Sequence, residues 1–339
     1  MNSDPPFDAP DSSSALRAGL ISGVIGLVVV VVVTVLVGRT HIDADAVRAI
    51  VDRARPVPLL GSMLIMSAAF LFLGKRWSVL FPAPHAPPGR GLAAILCAGL
   101  LLNSALPGPV GEFGAAWFAH KRYRVPLGMS LATGMGARII GMIMAALAAL
   151  ACWIWARPPV PPEYATPIEI AAVLVGLLGF GLLVVLIRPE WMTALSHLTV
   201  ARFERLRAVH RTVEEAADAL GAIRHSGAAA LVQCVSWSAI AHACVLAGIA
   251  MAAVSLGSDP SPSGLLFTYA TTTAAVIVMF ALPGSQVGWD AIFLALLTTT
   301  AGLSLPDALA IAIVVRVQQL VIMAIGAAAL TWLARTDTP

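Results

Sequence analysis

Long runs of apolar residues, separated by short polar or proline-rich breaks, cover most of the chain. A transmembrane α-helix needs roughly 20 apolar residues, and the runs supply about eight segments of suitable length. The pattern therefore predicts an all-α polytopic membrane protein with about eight transmembrane helices. Their expected bounds are about 16–38, 58–74, 91–106, 127–156, 168–187, 227–257, 264–282 and 306–334.

The segment 107–122 is too short to cross a bilayer and is predicted to be re-entrant. Residues 283–302 form a second broken segment with a similar Pro-Gly break, and this segment is predicted to be re-entrant as well. Irregular backbone at membrane depth is tolerated only where protein or a water-filled cavity covers it. The breaks therefore predict a cavity nearby. The residues expected to break the helices are Pro107, Gly108 and Gly111 in the first segment, and Pro283, Gly284 and Gly288 in the second.

Both broken segments belong to a stretch that occurs twice, as residues 106–138 and 282–316. Each copy opens with Leu-Pro-Gly, reaches a Val-Gly and a carboxylate, and ends on an apolar helix that carries one arginine. The carboxylate and the arginine are 26 positions apart in both copies. This recurrence predicts two pseudo-symmetric membrane halves, residues 16–156 and 157–335, arranged around a polar centre.

Two polar regions lie outside the predicted membrane helices. Residues 1–15 are rich in proline, serine and aspartate, a composition typical of a disordered tail. In residues 189–226, apolar positions recur every three or four residues on an otherwise charged segment, which predicts an amphipathic hairpin at the membrane surface. Binding of a partner protein is the alternative use of that hairpin.

The composition supports an integral membrane protein, expected in the bacterial cytoplasmic (inner) membrane. Hydrophobic residues make up 59% of the chain and charged residues only 12%, about half the charged share of an ordinary soluble domain. The net charge of +3 is too small to indicate nucleic acid as a partner. The sequence contains none of the common catalytic motifs and no metal-ligand spacing, so we expect neither an enzyme nor a bound cofactor or metal.

Arg138 and Arg316 are the candidate functional residues, because each lies in an apolar helix where an unpaired guanidinium is costly. One hypothesis is structural: Arg138 pairs with Glu112, and Arg316 pairs with Asp290. The other hypothesis is that both arginines face a central cavity and bind an anionic lipid headgroup, since a guanidinium matches a phosphate bidentately. The two hypotheses are compatible.

The sequence also suggests roles for several other polar residues. Asn103, Gln286 and Gln319 are candidate cavity residues, because they lie beside the helix breaks or next to Arg316. His242 is interpreted as a buried histidine with satisfied hydrogen bonds, with a proton relay as the alternative. Lys75, Arg76 and Trp77 are interpreted as anchors at the membrane interface, where basic and aromatic residues are common.

The motifs N-x-x-LPGPVGE-F, VPLGMSLATGMGAR, LPGSQVGWDA and GLSLPDALAIAIVVR resemble the flippase-like transmembrane region of lysylphosphatidylglycerol synthases. That family also occurs in a stand-alone form that lacks the aminoacyltransferase domain. The resemblance covers roughly residues 15–335. It implies a pseudo-symmetric membrane domain that moves or accommodates phospholipids or lipid-linked molecules.

These observations lead to a functional hypothesis and two alternatives. The chain is expected to be a lipid flippase or transporter that holds an anionic phospholipid or lipid-linked molecule in a central polar cavity, without its own ATPase. Its partners would be membrane lipids. An integral-membrane transferase acting on a lipid-linked substrate, or an accessory subunit of a lipid- or glycan-modifying enzyme, would fit the same sequence.

Overall fold

The computed structural model describes residues 44–82, 86–105, 110–188, 190, 191, 194, 221, 227–279 and 285–335. This described part is all-helical, as the sequence predicted. It contains ten α-helices: α1 (Ala44–Asp52), α2 (Pro56–Ser78), α3 (Gly89–Ala105), α4 (Val110–Tyr123), α5 (Leu127–Ala151), α6 (Pro162–Ile187), α7 (Ala228–Leu256), α8 (Pro262–Met279), α9 (Ser285–Thr299) and α10 (Leu305–Arg335).

Five stretches within the described residues are long and apolar enough to cross a membrane. They are Pro56–Ser78, Leu127–Ala156, Pro162–Val184, Ala228–Leu256 and Leu305–Ala329. The predicted tail 1–15, the predicted first helix 16–38 and almost all of the predicted hairpin 189–226 lie outside the described residues. The total of eight spans therefore stays a prediction, whereas the membrane character of the chain is clear.

Prolines and glycines set many of the helix ends. Pro56 and Pro162 occupy the first turns of α2 and α6, where a missing N–H costs little. Helix α7 lies between Gly227 and Gly257, both with positive φ, a conformation that glycine adopts without strain. We expected α6 to begin at residue 168, after Pro167, but the helix continues through that proline.

Helices α2 and α7 form the most extensive helix pair and run antiparallel. Near one end, the Ser62 hydroxyl donates to the Gly248 carbonyl at 2.7 Å. Near the other, Phe72 stacks on Trp237 with ring centroids 5.8 Å apart. Small residues such as Ser62 and Gly248 let the two backbones approach closely, which is how helices commonly associate in membranes.

Six of the eight remaining helices form two groups of three. Helices α3 and α4 pack together and continue into α5, and helices α8 and α9 pack together and continue into α10. The groups are interleaved, because α3 packs against α10 while α8 packs against α5. Gly326 makes the first of these contacts possible, since a Cβ there would collide with the backbone of Cys97 and Ala98.

The packing at Gly326 generates a stability prediction. We expect Gly326→Ala to lower the apparent melting temperature of the purified protein in detergent, because overpacking a tight contact costs about 1–3 kcal/mol. Gly181→Ala in α6 is the matched control, since a Cβ at Gly181 meets nothing within 4 Å. The control should keep or raise the melting temperature, because alanine favours helices over glycine. Equal effects of the two substitutions would contradict the proposed packing.

Candidate functional site

Residues at the end of α3 and the beginning of α4 hold a carboxylate in place. The Gly111 backbone N–H donates to the Asn103 side-chain carbonyl at 2.6 Å, and the Asn103 amide donates to Glu112 Oε1 at 3.4 Å. Gly111 lies against the Gly99 carbonyl, where a Cβ would not fit. Glu112 lies in the first turn of α4, where the helix dipole favours a negative charge.

Glu112 forms an ion pair with Arg138 of helix α5, which we call the first ion pair. The exposed fraction is 17% for the Glu112 side chain and 27% for the Arg138 side chain. The pair therefore lies largely out of solvent and joins α4 to α5. The predicted pairing is present in the structure, so Glu112 and Arg138 each have a partner of opposite sign.

Asp290 and Arg316 form the equivalent contact in the other group, which we call the second ion pair. Arg316 Nη2 lies 2.6 Å from Asp290 Oδ1, and Arg316 Nε donates to the same oxygen at 2.8 Å. Arg316 also donates to the side-chain carbonyl of Gln319 and lies over the Trp289 ring, 5.6 Å from its centroid. A cation over an indole ring is further stabilised by the electrons of the ring.

A cavity of about 320 Å³ lies beside the first ion pair and is lined by residues from seven of the ten described helices. This volume is at the lower end of the range for small-molecule sites, roughly 300–1,000 Å³. Its lining is mostly apolar. The polar side chains around it are Arg76, Asn103, Glu112, Ser130, Arg138, His242 and Thr273.

The structure brings some predicted site residues to this cavity and leaves others apart. Asn103, Gly111, Glu112 and Arg138 line it. Of the described residues, Asp290, Arg316, Gln319 and Gly288 are not part of its lining. The hypothesis that both arginines face a central cavity therefore stays a prediction for Arg316. The remaining positions lie outside the described backbone or side chains: Pro107, Gly108, Pro283, Gly284 and the side chain of Gln286.

Arg76 and Trp77 are cavity residues that the sequence interpretation missed. Both were expected at the membrane interface, but both line the cavity, and Trp77 is only 2% exposed. The Trp77 N–H donates to the Thr133 hydroxyl at 3.0 Å. The apolar residues Leu80 and Phe81, which follow them and are also buried, were a signal that this end of α2 lies within the protein.

His242 connects three helices at the cavity wall. Its Nδ1 lies 2.7 Å from the Tyr269 hydroxyl, and its Nε2 lies 3.1 Å from the Gly141 carbonyl. Since the carbonyl can only accept, Nε2 carries a proton, and Nδ1 is free to accept from the tyrosine. Both ring nitrogens have partners, as expected for a buried histidine with satisfied hydrogen bonds.

Comparison with known proteins adds a family assignment to this geometry. The family model described as the lysylphosphatidylglycerol synthase TM region matches residues 23–326. The chain belongs to this family. Searches of curated proteins and of solved structures found no match. Both ion pairs and every lining residue of the cavity lie within the part that matches the lysylphosphatidylglycerol synthase TM region.

The first ion pair generates a prediction for a double-mutant cycle. Arg138→Gln alone should destabilise the protein strongly, because breaking a buried pair leaves an uncompensated charge, at a cost of about 3–5 kcal/mol. The double substitution Glu112→Gln with Arg138→Gln should recover much of that loss, since no charge remains. Apparent melting temperatures in detergent measure both effects. Purely additive losses would show that the two side chains do not interact.

Proposed function

We propose that this protein moves a lipid with an anionic headgroup between the two leaflets of the membrane, in the manner of a flippase and without an ATPase of its own. The observation that carries the proposal is the cavity beside Arg138, where charged side chains lie inside an integral membrane protein of the lysylphosphatidylglycerol synthase TM family. Ionisable residues within membrane segments commonly mark substrate pathways.

The headgroup would enter the cavity while the acyl chains remain in the surrounding lipid. Met135 lines the cavity and is 42% exposed, which supports a route from the cavity to the protein surface at this residue. On the adjacent helix α4, Phe113 and Trp117 are 58% and 42% exposed. These apolar side chains provide a surface along which acyl chains can lie.

The proposal includes an architecture of about eight spans in two pseudo-symmetric halves, with α4 and α9 as re-entrant segments. Their lengths support this arrangement. Helix α4 has 14 residues and α9 has 15, which at 1.5 Å per residue gives only about 21–23 Å. The hydrocarbon core of a bilayer is about 30 Å thick. We propose the bacterial cytoplasmic membrane as the location.

Transport can be tested with the purified full chain in liposomes that contain fluorescent phosphatidylglycerol in both leaflets. Dithionite destroys the outer-leaflet fluorophores, so movement between leaflets appears as loss of the protected half. We expect the protein to accelerate this loss. Arg138→Gln combined with Glu112→Gln should slow it at least tenfold, because the cavity loses the first ion pair while the net charge of its described lining is unchanged.

A surface variant provides the matched control. Arg53 is exposed and, within the described part of the chain, donates to the Ala49 carbonyl of its own helix, so Arg53→Gln should leave the rate unchanged. If the wild-type protein accelerates no anionic or polyprenyl-linked lipid, the transport proposal fails. Covalent conversion of the lipid in the same assay would instead support a membrane transferase.

A further inference from the structure

We propose that Arg76 is the main anion contact of the cavity, that it binds a phosphate oxyanion, and that only the site beside the first ion pair does so. This deepens the transport proposal and rests on it for the identity of the cargo. The inference begins from the electrostatic state of Arg76, which differs from that of Arg138 and Arg316. Both of those arginines have a carboxylate partner.

Arg76 has no carboxylate partner among the described residues. Its Nε is buried and has no hydrogen-bond partner in the same part of the chain. A guanidinium stays protonated under ordinary conditions, and an unpaired buried charge costs several kcal/mol. The position is therefore unfavourable for the empty protein and becomes favourable when an anion enters.

The charges that line the cavity do not cancel. Arg76 and Arg138 contribute two positive charges, and Glu112 contributes one negative charge. Both nitrogens of His242 are engaged, in an arrangement that suits a neutral ring. The described lining therefore carries a net charge of about +1. A phosphodiester, with a single negative charge, would neutralise it, and arginine binds phosphate oxygens bidentately.

Gly141 provides the space that Arg76 occupies. A Cβ at this position would collide with Arg76 Nη1 and would lie 3.5 Å from His242 Nε2. The Gly141 carbonyl also accepts the hydrogen bond from that histidine. The small residue on α5 thus positions a guanidinium that comes from α2.

In the described part of the chain, the second ion pair has no equivalent of this arrangement. The offset that relates Glu112 to Asp290 (290 − 112 = 178) also relates Arg138 to Arg316. Applied downstream to Gly141, it leads to Gln319. Upstream, the two Leu-Pro-Gly motifs at Leu106 and Leu282 give an offset of 176 (282 − 106), which relates Arg76 to the apolar residue Ala252. Where Gly141 leaves space, Gln319 supplies a side chain that binds Arg316.

This difference assigns separate roles to the two sites. The second site balances its charge internally through Asp290 and Arg316, so it has no need of an external anion. Among the described residues, the first site has one cation more than its carboxylate balances. The bound group is a phosphate oxyanion, which a lipid headgroup or free phosphate could supply.

The test measures ligand binding by the full chain in detergent, through the rise in melting temperature as ligand is added. The probes are dioctanoylphosphatidylglycerol, dioctanoylphosphatidylcholine and inorganic phosphate. We expect phosphatidylglycerol to bind at least tenfold more tightly than phosphatidylcholine, whose choline cation would face Arg76 and Arg138. Inorganic phosphate could also bind as tightly as phosphatidylglycerol and lose this binding in Arg76→Gln. That result would support the anion site and identify free phosphate as its ligand.

Arg76→Gln should weaken phosphatidylglycerol binding at least tenfold. Without ligand, the same variant should melt no lower than the wild type, because the substitution removes an unpaired buried charge. A merely structural arginine would instead lower that melting temperature when removed. Lys75→Gln is the matched control, since Lys75 is the exposed neighbour of Arg76 and lies 4.7 Å from the Trp237 ring. The control should bind like the wild type.

Gly141→Ala supplies a second variant that keeps every charge and displaces only the guanidinium of Arg76. We expect it to weaken binding by severalfold. Wild-type affinity in Arg76→Gln would overturn the inference. The outcome is independent of the transport assay. Binding that depends on Arg76 without lipid movement would refute transport alone, whereas lipid movement with unchanged binding in Arg76→Gln would refute the anion site alone.

Discussion

The structure depends on the rule that a charge within an apolar protein must meet a charge of opposite sign. Glu112 and Asp290 lie near the beginnings of two short helices, and Arg138 and Arg316 lie within the two long helices that follow. Each ion pair therefore joins a short helix to a long one. The backbone near the first ion pair is linked to it through Asn103, which accepts from the Gly111 N–H and donates to Glu112.

The two carboxylate–arginine pairs lie in different surroundings. In the second site, Trp289 and Gln319 surround Arg316 and complete its contacts. The first site is next to the cavity and contains Arg76, whose charge no described carboxylate balances. Trp289 also lines that cavity, so the second site supports its wall. The first ion pair thus borders the proposed binding site. The second ion pair lies next to Trp289, a residue of the cavity wall.

Much of this architecture could be predicted from the sequence, because its signals are local. Apolar runs predicted the helices, and the equal spacing of Glu112/Arg138 and Asp290/Arg316 predicted two ion pairs that the structure contains. The role of Arg76 could not be predicted in this way. Its place at the end of an apolar run is typical of an interface anchor, and only the packing of other helices around it creates a cavity. Likewise, no sequence signal placed Arg316 away from that cavity.

The central claim is that an anionic headgroup occupies the cavity between Arg76 and Arg138. An electron cryomicroscopy map of the full chain in phosphatidylglycerol nanodiscs tests it most directly. The account predicts phosphate density within about 3 Å of both guanidinium groups, the distance of a charge-assisted hydrogen bond, with acyl-chain density leaving past Met135. A cavity that contains no headgroup density, with all ordered phosphates at the membrane surface, would contradict the claim.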